Sequence, residues 1–224
     1  MIACVNGIHL NYECTGTGRP LLLVHGNGED HMIFDEAVEM LKADFTCICP
    51  DSRGHGRSTP VTELHYGDMA EDMIQLMEKL DLRGVTFYGF SDGGIVGLLA
   101  ASRCDRITNL IVSGANLTPR GVRAGMRLRF HAEYLFGRDP LIRLMLKEPH
   151  ITDETLKKIT ARTLVLAGSR DLIRESETRH IAEKIEGAEL RILKDEDHGS
   201  YVVHREKIGE IIRTFVREKQ RTEK

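Results

Sequence analysis

The pentapeptide Gly89-Phe90-Ser91-Asp92-Gly93 lies between an apolar run, Val85-Thr86-Phe87-Tyr88, and a helix-compatible run from Ile95 to Ala101. A G-x-S-x-G pattern alone constrains little. Set where a buried strand hands over to a helix, it constrains a great deal. The turn must be sharp, and it lifts the serine hydroxyl clear of the backbone at a helix N-terminus. The flanking glycines are needed because strand and helix backbones approach closely there. A strand feeding a helix is also the unit from which parallel sheets are wound.

The rest of the chain repeats that unit. Two short strands, Ile2 to Val5 and Ile8 to Glu13, are joined by Asn6-Gly7, a strong type I′ hairpin signal. Leu21 to Val24 is a continuous apolar run of buried-strand type, followed by a helix predicted over Ile33 to Lys42. Phe45 to Cys49 is a further strand. Met69, Met73, Leu76 and Leu80 recur at helical spacing. Ile107 to Val112, Thr163 to Ala167 and Leu190 to Leu193 are later strands; Ile181 and Ile185 mark a helix between the last two, and Ile208, Ile211, Ile212 and Phe215 mark a final one. Alternating strands and helices imply an α/β fold with a mostly parallel central sheet and helices on both faces. The charged tail from Val216 to Lys224 is predicted to be a fraying helix end.

One segment breaks the alternation. Leu117 to Glu148 has no strand signal and carries two helix-like patches split by Gly137-Arg138-Asp139-Pro140. An insertion at the carboxyl ends of the strands is expected to cover the site as a small helical lid on a single domain spanning residues 1–224. Arg120, Arg123 and Arg127 are expected on one helical face of that lid, with Arg129, Arg138 and Arg143 nearby.

Bulk properties exclude several functions. A net charge of −3 gives no reason to expect nucleic-acid binding. No apolar run reaches the roughly 18 residues of a membrane span, and the first residues lack signal-peptide character. The five cysteines have neither C-x-x-C nor zinc-like spacing, so they are read as reduced, mostly buried thiols, with no metal site and a cytoplasmic location expected. The expected partner is a small-molecule substrate. The sequence carries no signal for oligomeric state.

A serine hydroxyl needs a base within hydrogen-bond reach, and the base needs a group that fixes its tautomer. Among ten histidines, His198 is the best placed: it follows the strand Leu190 to Leu193 in the loop Asp195-Glu196-Asp197-His198-Gly199. Asp171 follows the strand Thr163 to Ala167 and is the candidate orienting acid; a helix N-cap is its plainer role. Asp195 and Asp197 are rivals too near His198 in sequence to align with its ring, and Asn116 cannot ionise. An oxyanion needs two donors. The candidates are the N–H of Asp92 and that of Asn27, in the loop His25-Gly26-Asn27-Gly28. His25 is expected to pin that loop.

Together these residues resemble the α/β-hydrolase superfamily over nearly the whole chain. His25 to Gly28 resembles its oxyanion motif, Asp51-Ser52-Arg53-Gly54-His55-Gly56-Arg57-Ser58 its D-x-R-G-x-G-x-S loop, and Gly89 to Gly93 its nucleophile elbow. The resemblance implies a Ser91–His198–Asp171 triad, no cofactor, and an Asp51 to Ser58 loop that braces the site, with Arg53 bonding neighbouring loops. Gly89 to Gly94 with Ser113 to Asn116 also looks like the valacyclovirase (biphenyl hydrolase-like) group, which hydrolyses α-amino acid esters and whose aspartate after the serine holds the ammonium. That likeness implies the same for Asp92, with Gly26 and Phe90 as further candidate substrate contacts. The implied reaction is hydrolysis of small carboxylic esters, α-amino acid esters and lactones included. The alternatives are carbon–carbon cleavage of a β-diketone-like acid, with lid arginines holding its carboxylate, and a non-catalytic ligand-binding protein. Dehalogenases and epoxide hydrolases of this fold use an aspartate nucleophile, where this chain has Ser91.

Overall fold

The computed structural model describes residues 1–222. β1 (Ile2–Val5) and β2 (Ile8–Thr15) form an antiparallel hairpin. Its turn residues Asn6 and Gly7 both take positive φ, 42° and 77°, as a type I′ turn demands. The other strands are β3 (Arg19–Val24), β4 (Phe45–Pro50), β5 (Val85–Phe90), β6 (Ile107–Ser113), β7 (Arg162–Gly168) and β8 (Glu189–Leu193). All eight join one sheet in the order β1-β2-β4-β3-β5-β6-β7-β8. β3 to β8 run parallel, and β2 is antiparallel to β4.

The helices are α1 (Asp35–Leu41), α2 (Tyr66–Lys79), α3 (Asp92–Ala101), α4 (Ala124–Gly137), α5 (Pro140–Lys147), α6 (Asp153–Leu156), α7 (Glu175–Lys184) and α8 (Glu206–Thr222). Alternation along β3 assigns them to two faces. Leu21 and Leu23 pack with Ala37 and Leu41 of α1 and with Ile208, Ile212 and Phe215 of α8. Leu22 and Val24 belong to the opposite core, with Met73 and Leu76 of α2, Val96 and Leu98 of α3, and Ile181 of α7. Each of these Leu, Ile, Val, Phe and Met side chains contributes about 1.5–3 kcal/mol by leaving water. The chain therefore runs from β3 to α1 on one face and from β5 to α3 on the other. Adjacent strands whose connections diverge in this way open a crevice at their carboxyl ends, where ligands bind in α/β sheets.

Several expectations need correction. Arg53 does not bond neighbouring loops. Its guanidinium forms a buried two-pronged pair with Asp72 of α2, Nε to Oδ2 at 2.7 Å and Nη2 to Oδ1 at 2.6 Å. Only Cys47 and Cys49 are buried; Cys4 and Cys14 are exposed and Cys104 is intermediate, because β1 and the end of β2 lie at the less covered edge of the sheet. Arg120, Arg123 and Arg127 do not share a helical face. Pro119–Gly121 is a separate 3₁₀ turn, and Arg123 is the residue before α4 begins. The short α6 was not expected. The helical tail continues to Thr222, and the end of the predicted fraying segment, residues 223–224, lies outside the described residues. Among the described residues no helix is long and apolar enough to cross a membrane.

Candidate active site

Ser91 occupies the single residue between β5 and α3, with φ 53° and ψ −114°. Such a conformation costs a non-glycine residue of order 1–3 kcal/mol and persists only where surroundings enforce it. Here the Ser91 N–H donates to the Ser113 carbonyl at 2.7 Å, and the Ser91 carbonyl accepts from the N–H groups of Gly94 and Ile95 at 2.9 and 3.2 Å. A Cβ on Gly93 would run into the Val24 carbonyl, and one on Gly89 into that of Gly93. The close approach expected from the glycine spacing is therefore real.

Asp171 and His198 come from the loops after β7 and β8. Asp171 is 2% exposed, and its Oδ1 accepts the Ile173 N–H at 2.8 Å, a local turn bond of the kind expected of a plain cap. The same oxygen meets His198 Nδ1 at 2.7 Å, and His198 Nε2 lies 3.0 Å from Ser91 Oγ. A carboxylate only accepts, so the ring proton belongs on Nδ1 and Nε2 is free to accept from the serine hydroxyl. Gly114, with φ +62°, lies against this imidazole: a Cβ there would be 2.6 Å from His198 Cε1 and 2.8 Å from Nδ1. The rivals are engaged elsewhere. Asp197 Oδ1 accepts from Gly199 and Ser200 amides, and Asn116 Nδ2 donates to the Thr118 carbonyl.

Asp92 is the first residue of α3, so its N–H has no intrahelical partner and is available at the crevice. Asn27 lies on the facing loop after β3, across the β3–β5 pair. Its side chain donates from Nδ2 to Asp92 Oδ2 at 2.9 Å and to the Leu141 carbonyl of α5 at 3.2 Å. The other Asp92 oxygen accepts from Tyr66 Oη at 2.7 Å. Burial raises the Asp92 carboxyl above its ordinary value, while the Asn27 and Tyr66 hydrogen bonds pull it down.

These groups face a cavity of about 300 Å³. Ser91, His198, Asn27, Asp92 and Phe90 line it, as do Met126 and Phe130 of α4 and Met145 of α5. The Phe90 ring lies 5.0 Å from the His198 ring, centroid to centroid. Gly26 does not line the cavity, and its N–H donates to Glu29 Oε2 at 2.9 Å. None of Arg120, Arg123, Arg127, Arg129, Arg138 or Arg143 lines the cavity; Arg123 Nε instead donates to the Asp171 carbonyl at 2.7 Å.

Among the polar residues that line the cavity, sequence reasoning missed three: Glu29, Tyr66 and Glu148. Glu29 carried a signal, being titratable and two residues from Asn27. Tyr66 carried none. Glu148 closes the segment that contains α5; its Oε1 meets His65 Nδ1 at 2.6 Å and its Oε2 accepts the Tyr66 N–H at 3.1 Å. It thus caps the start of α2 from 82 residues away.

The flanking loops are braced. His25 Nδ1 donates to the Gly26 carbonyl at 2.7 Å, and Nε2 accepts the Ser52 N–H at 2.9 Å. Burial lowers the His25 pKa to about 4, so the ring is neutral at pH 7. The sole metal-like grouping among the described residues is Asp30, His31 and Asp51, each offering one ligand atom within 4.8 Å of the others. Asp51 spends both oxygens on hydrogen bonds from His31 N–H and ring, Asn11 and Arg57, which makes it a hub of the loop.

Known proteins share this architecture. The family described as "alpha/beta hydrolase fold" matches residues 19–130. The serine hydrolase BPHL of Mus musculus is 26% identical over 245 residues, covering 95% of this chain and 84% of that protein. A thermophilic esterase from Thermogutta terrifontis, solved with malate bound, is 25% identical with a TM-score of 0.76 over 94% of each chain. A meta-cleavage product hydrolase from Pseudomonas fluorescens IP01 has a TM-score of 0.78 at 19% identity, covering 99% of this chain and 98% of its own, a likeness of fold alone. The matched segment runs from β3 through β6 into α4; it includes the stretch that turns the sheet's winding around and carries Asn27 and Ser91, and on that ground this chain belongs to the α/β-hydrolase family.

Proposed function

We propose that this protein is a serine hydrolase of small carboxylic esters, with α-amino acid esters as its preferred class. The observation that carries the reading is the file Asp171–His198–Ser91, with contacts of 2.7 and 3.0 Å. In this reading Ser91 attacks the ester carbonyl and His198 takes its proton at Nε2. Asp171 holds the tautomer and supports the imidazolium. The Asp92 and Asn27 amides receive the oxyanion. His198 then protonates the leaving alcohol, and water clears the acyl-enzyme by the same steps in reverse order. The segment 117–148 acts as the lid that walls off this chemistry. Five unbridged thiols fit a reducing compartment, and a cytoplasmic location is part of the proposal.

The amino-acid preference rests on charge. Asp92 lines the cavity beside Ser91, and its partners Asn27 and Tyr66 are neutral. An ammonium on the acyl group supplies the missing cation. Carbon–carbon cleavage of an acidic substrate would instead need a cation for the substrate carboxylate, and no arginine or lysine lines the cavity among the described residues.

Hydrolysis of matched esters with and without an α-amino group tests this reading. The amino ester should be the better substrate, Ser91→Ala should be inert, and Asp92→Asn should lose the amino ester selectively, by about tenfold or more in kcat/KM. Equal loss on both esters would remove Asp92 from recognition.

A further inference from the structure

Glu29 takes part in none of these steps, yet it stands at the reacting centre. It is half-buried and lines the cavity from the loop that carries Asn27. A Cβ placed on Gly26 would lie 2.7 Å from Glu29 Oε2 and 3.0 Å from Ser91 Cβ, so carboxylate and nucleophile flank the same glycine. Its one hydrogen-bond donor is the neutral Gly26 amide. Glu148, by contrast, sits against His65. Burial raises the Glu29 carboxyl above its ordinary value, with the Gly26 N–H pulling the other way. Apart from His198, no group that could carry positive charge lines the cavity among the described residues.

A bare carboxylate in that place has a consequence for chemistry. As Ser91 adds to the carbonyl, negative charge gathers on the carbonyl oxygen. A second negative charge beside it, in a largely apolar cavity, opposes that step. A cation on the acyl group cancels the opposition. We propose that Glu29 is a charge filter on the acyl group: it slows neutral and anionic esters and passes those that bring an ammonium to the reacting carbonyl. This rests on the esterase reading of the site and extends it from attraction by Asp92 to discrimination at the bond-forming step. The two carboxylates differ in how their charge is held: Asp92 accepts from Asn27 and Tyr66 on its two oxygens, whereas Glu29 has one backbone donor. Removing Asp92 therefore chiefly subtracts attraction for the cation. Removing the Glu29 charge also relieves an obstacle, so its effect changes sign with the substrate.

Glu29→Gln separates this role from loop bracing, because a glutamine carbonyl still accepts the Gly26 N–H while the charge is gone. The probes are phenylalanine ethyl ester and ethyl 3-phenylpropanoate, which differ only in the amino group. Relative to wild type at pH 7, E29Q should raise kcat/KM on the phenylpropanoate about tenfold and lower it on the phenylalanine ester by a similar factor. Asp92→Asn should show the second effect without the first. Wild-type rates in E29Q on both esters, with losses confined to Glu29→Ala, would make Glu29 a loop brace and overturn the proposal. Calorimetric binding of the two esters to Ser91→Ala, with and without E29Q, reads the same charge without turnover. Weaker binding of the phenylalanine ester alone in the double variant supports the filter; identical binding overturns it. An inert wild type would sink the esterase reading, while this binding arm would still report on Glu29.

Discussion

Gly114→Ala places one methyl group against the file Asp171–His198–Ser91. The added Cβ would stand 2.6 Å from His198 Cε1 and 2.8 Å from Nδ1, where carbon atoms need well over 3 Å. The imidazole is held from both sides by Asp171 and Ser91, so it cannot swing away without breaking one of those contacts. The backbone adds its own cost, since φ at Gly114 is +62° and an alanine there loses about 1–2 kcal/mol. With about 1–3 kcal/mol for overpacking, the fold should lose roughly 2–5 kcal/mol, or roughly 4–20 °C in Tm for a domain of this size. Activity should suffer more. Displacement of the ring by a good fraction of an ångström should lower kcat/KM about 10²-fold on a p-nitrophenyl ester. Gly125→Ala is the control: it makes the same chemical change in α4 with nothing within 4 Å of the new Cβ, and it should leave both Tm and rate near wild type or slightly better. Wild-type stability and rate in Gly114→Ala would refute the packing of His198 described here.

Three further outcomes are expected. Asp171→Asn should fold and lower kcat by about 10⁴-fold, because an amide no longer enforces the Nδ1–H tautomer; circular dichroism and ester hydrolysis together check this. The folded pKa of His25, lowered from 6.5 to about 4, means that the unfolded chain binds more protons between those values, so stability should fall as pH drops through that window. About 1.5 kcal/mol should be lost from this group between pH 6.5 and 5, and urea unfolding should show His25→Gln losing less than wild type over that range by about this amount; equal pH dependence would contradict the neutral buried ring. Arg53→Ala leaves the Asp72 carboxylate buried without its partner and should cost about 3–5 kcal/mol in urea unfolding, much of it recovered in Arg53→Met/Asp72→Leu.

The parts legible in sequence were those set by local pattern. Val85 to Tyr88, the glycine-flanked Ser91 and the run to Ala101 specify a strand, a turn and a helix within 17 positions, and the turn fixes where the hydroxyl points. Asp171 and His198 were readable because each follows a clear apolar strand, and parallel strands deliver their following loops to one edge. Asn6-Gly7 dictated its own backbone. The illegible parts depend on pairs far apart in sequence. Arg53 meets Asp72 because the loop after β4 packs on α2, and nothing local to Arg53 says so. Tyr66 joins the site from the start of α2 by bonding Asp92, and Glu148 joins it from the segment that folds back over the sheet edge. The arginine face failed for a local reason: Pro119 starts a separate turn, so helical spacing does not yet apply at Arg120 and Arg123. Cysteine burial failed because apolar character says little about which sheet edge a strand occupies.

The central claim is that Ser91 is a nucleophile activated by His198. Incubation with a fluorophosphonate followed by intact-mass and peptide analysis addresses it most directly. The account predicts one adduct per chain, on the peptide holding Ser91, lost in Ser91→Ala and formed far more slowly in His198→Ala. No adduct on folded wild type, or one carried by another residue, would contradict it.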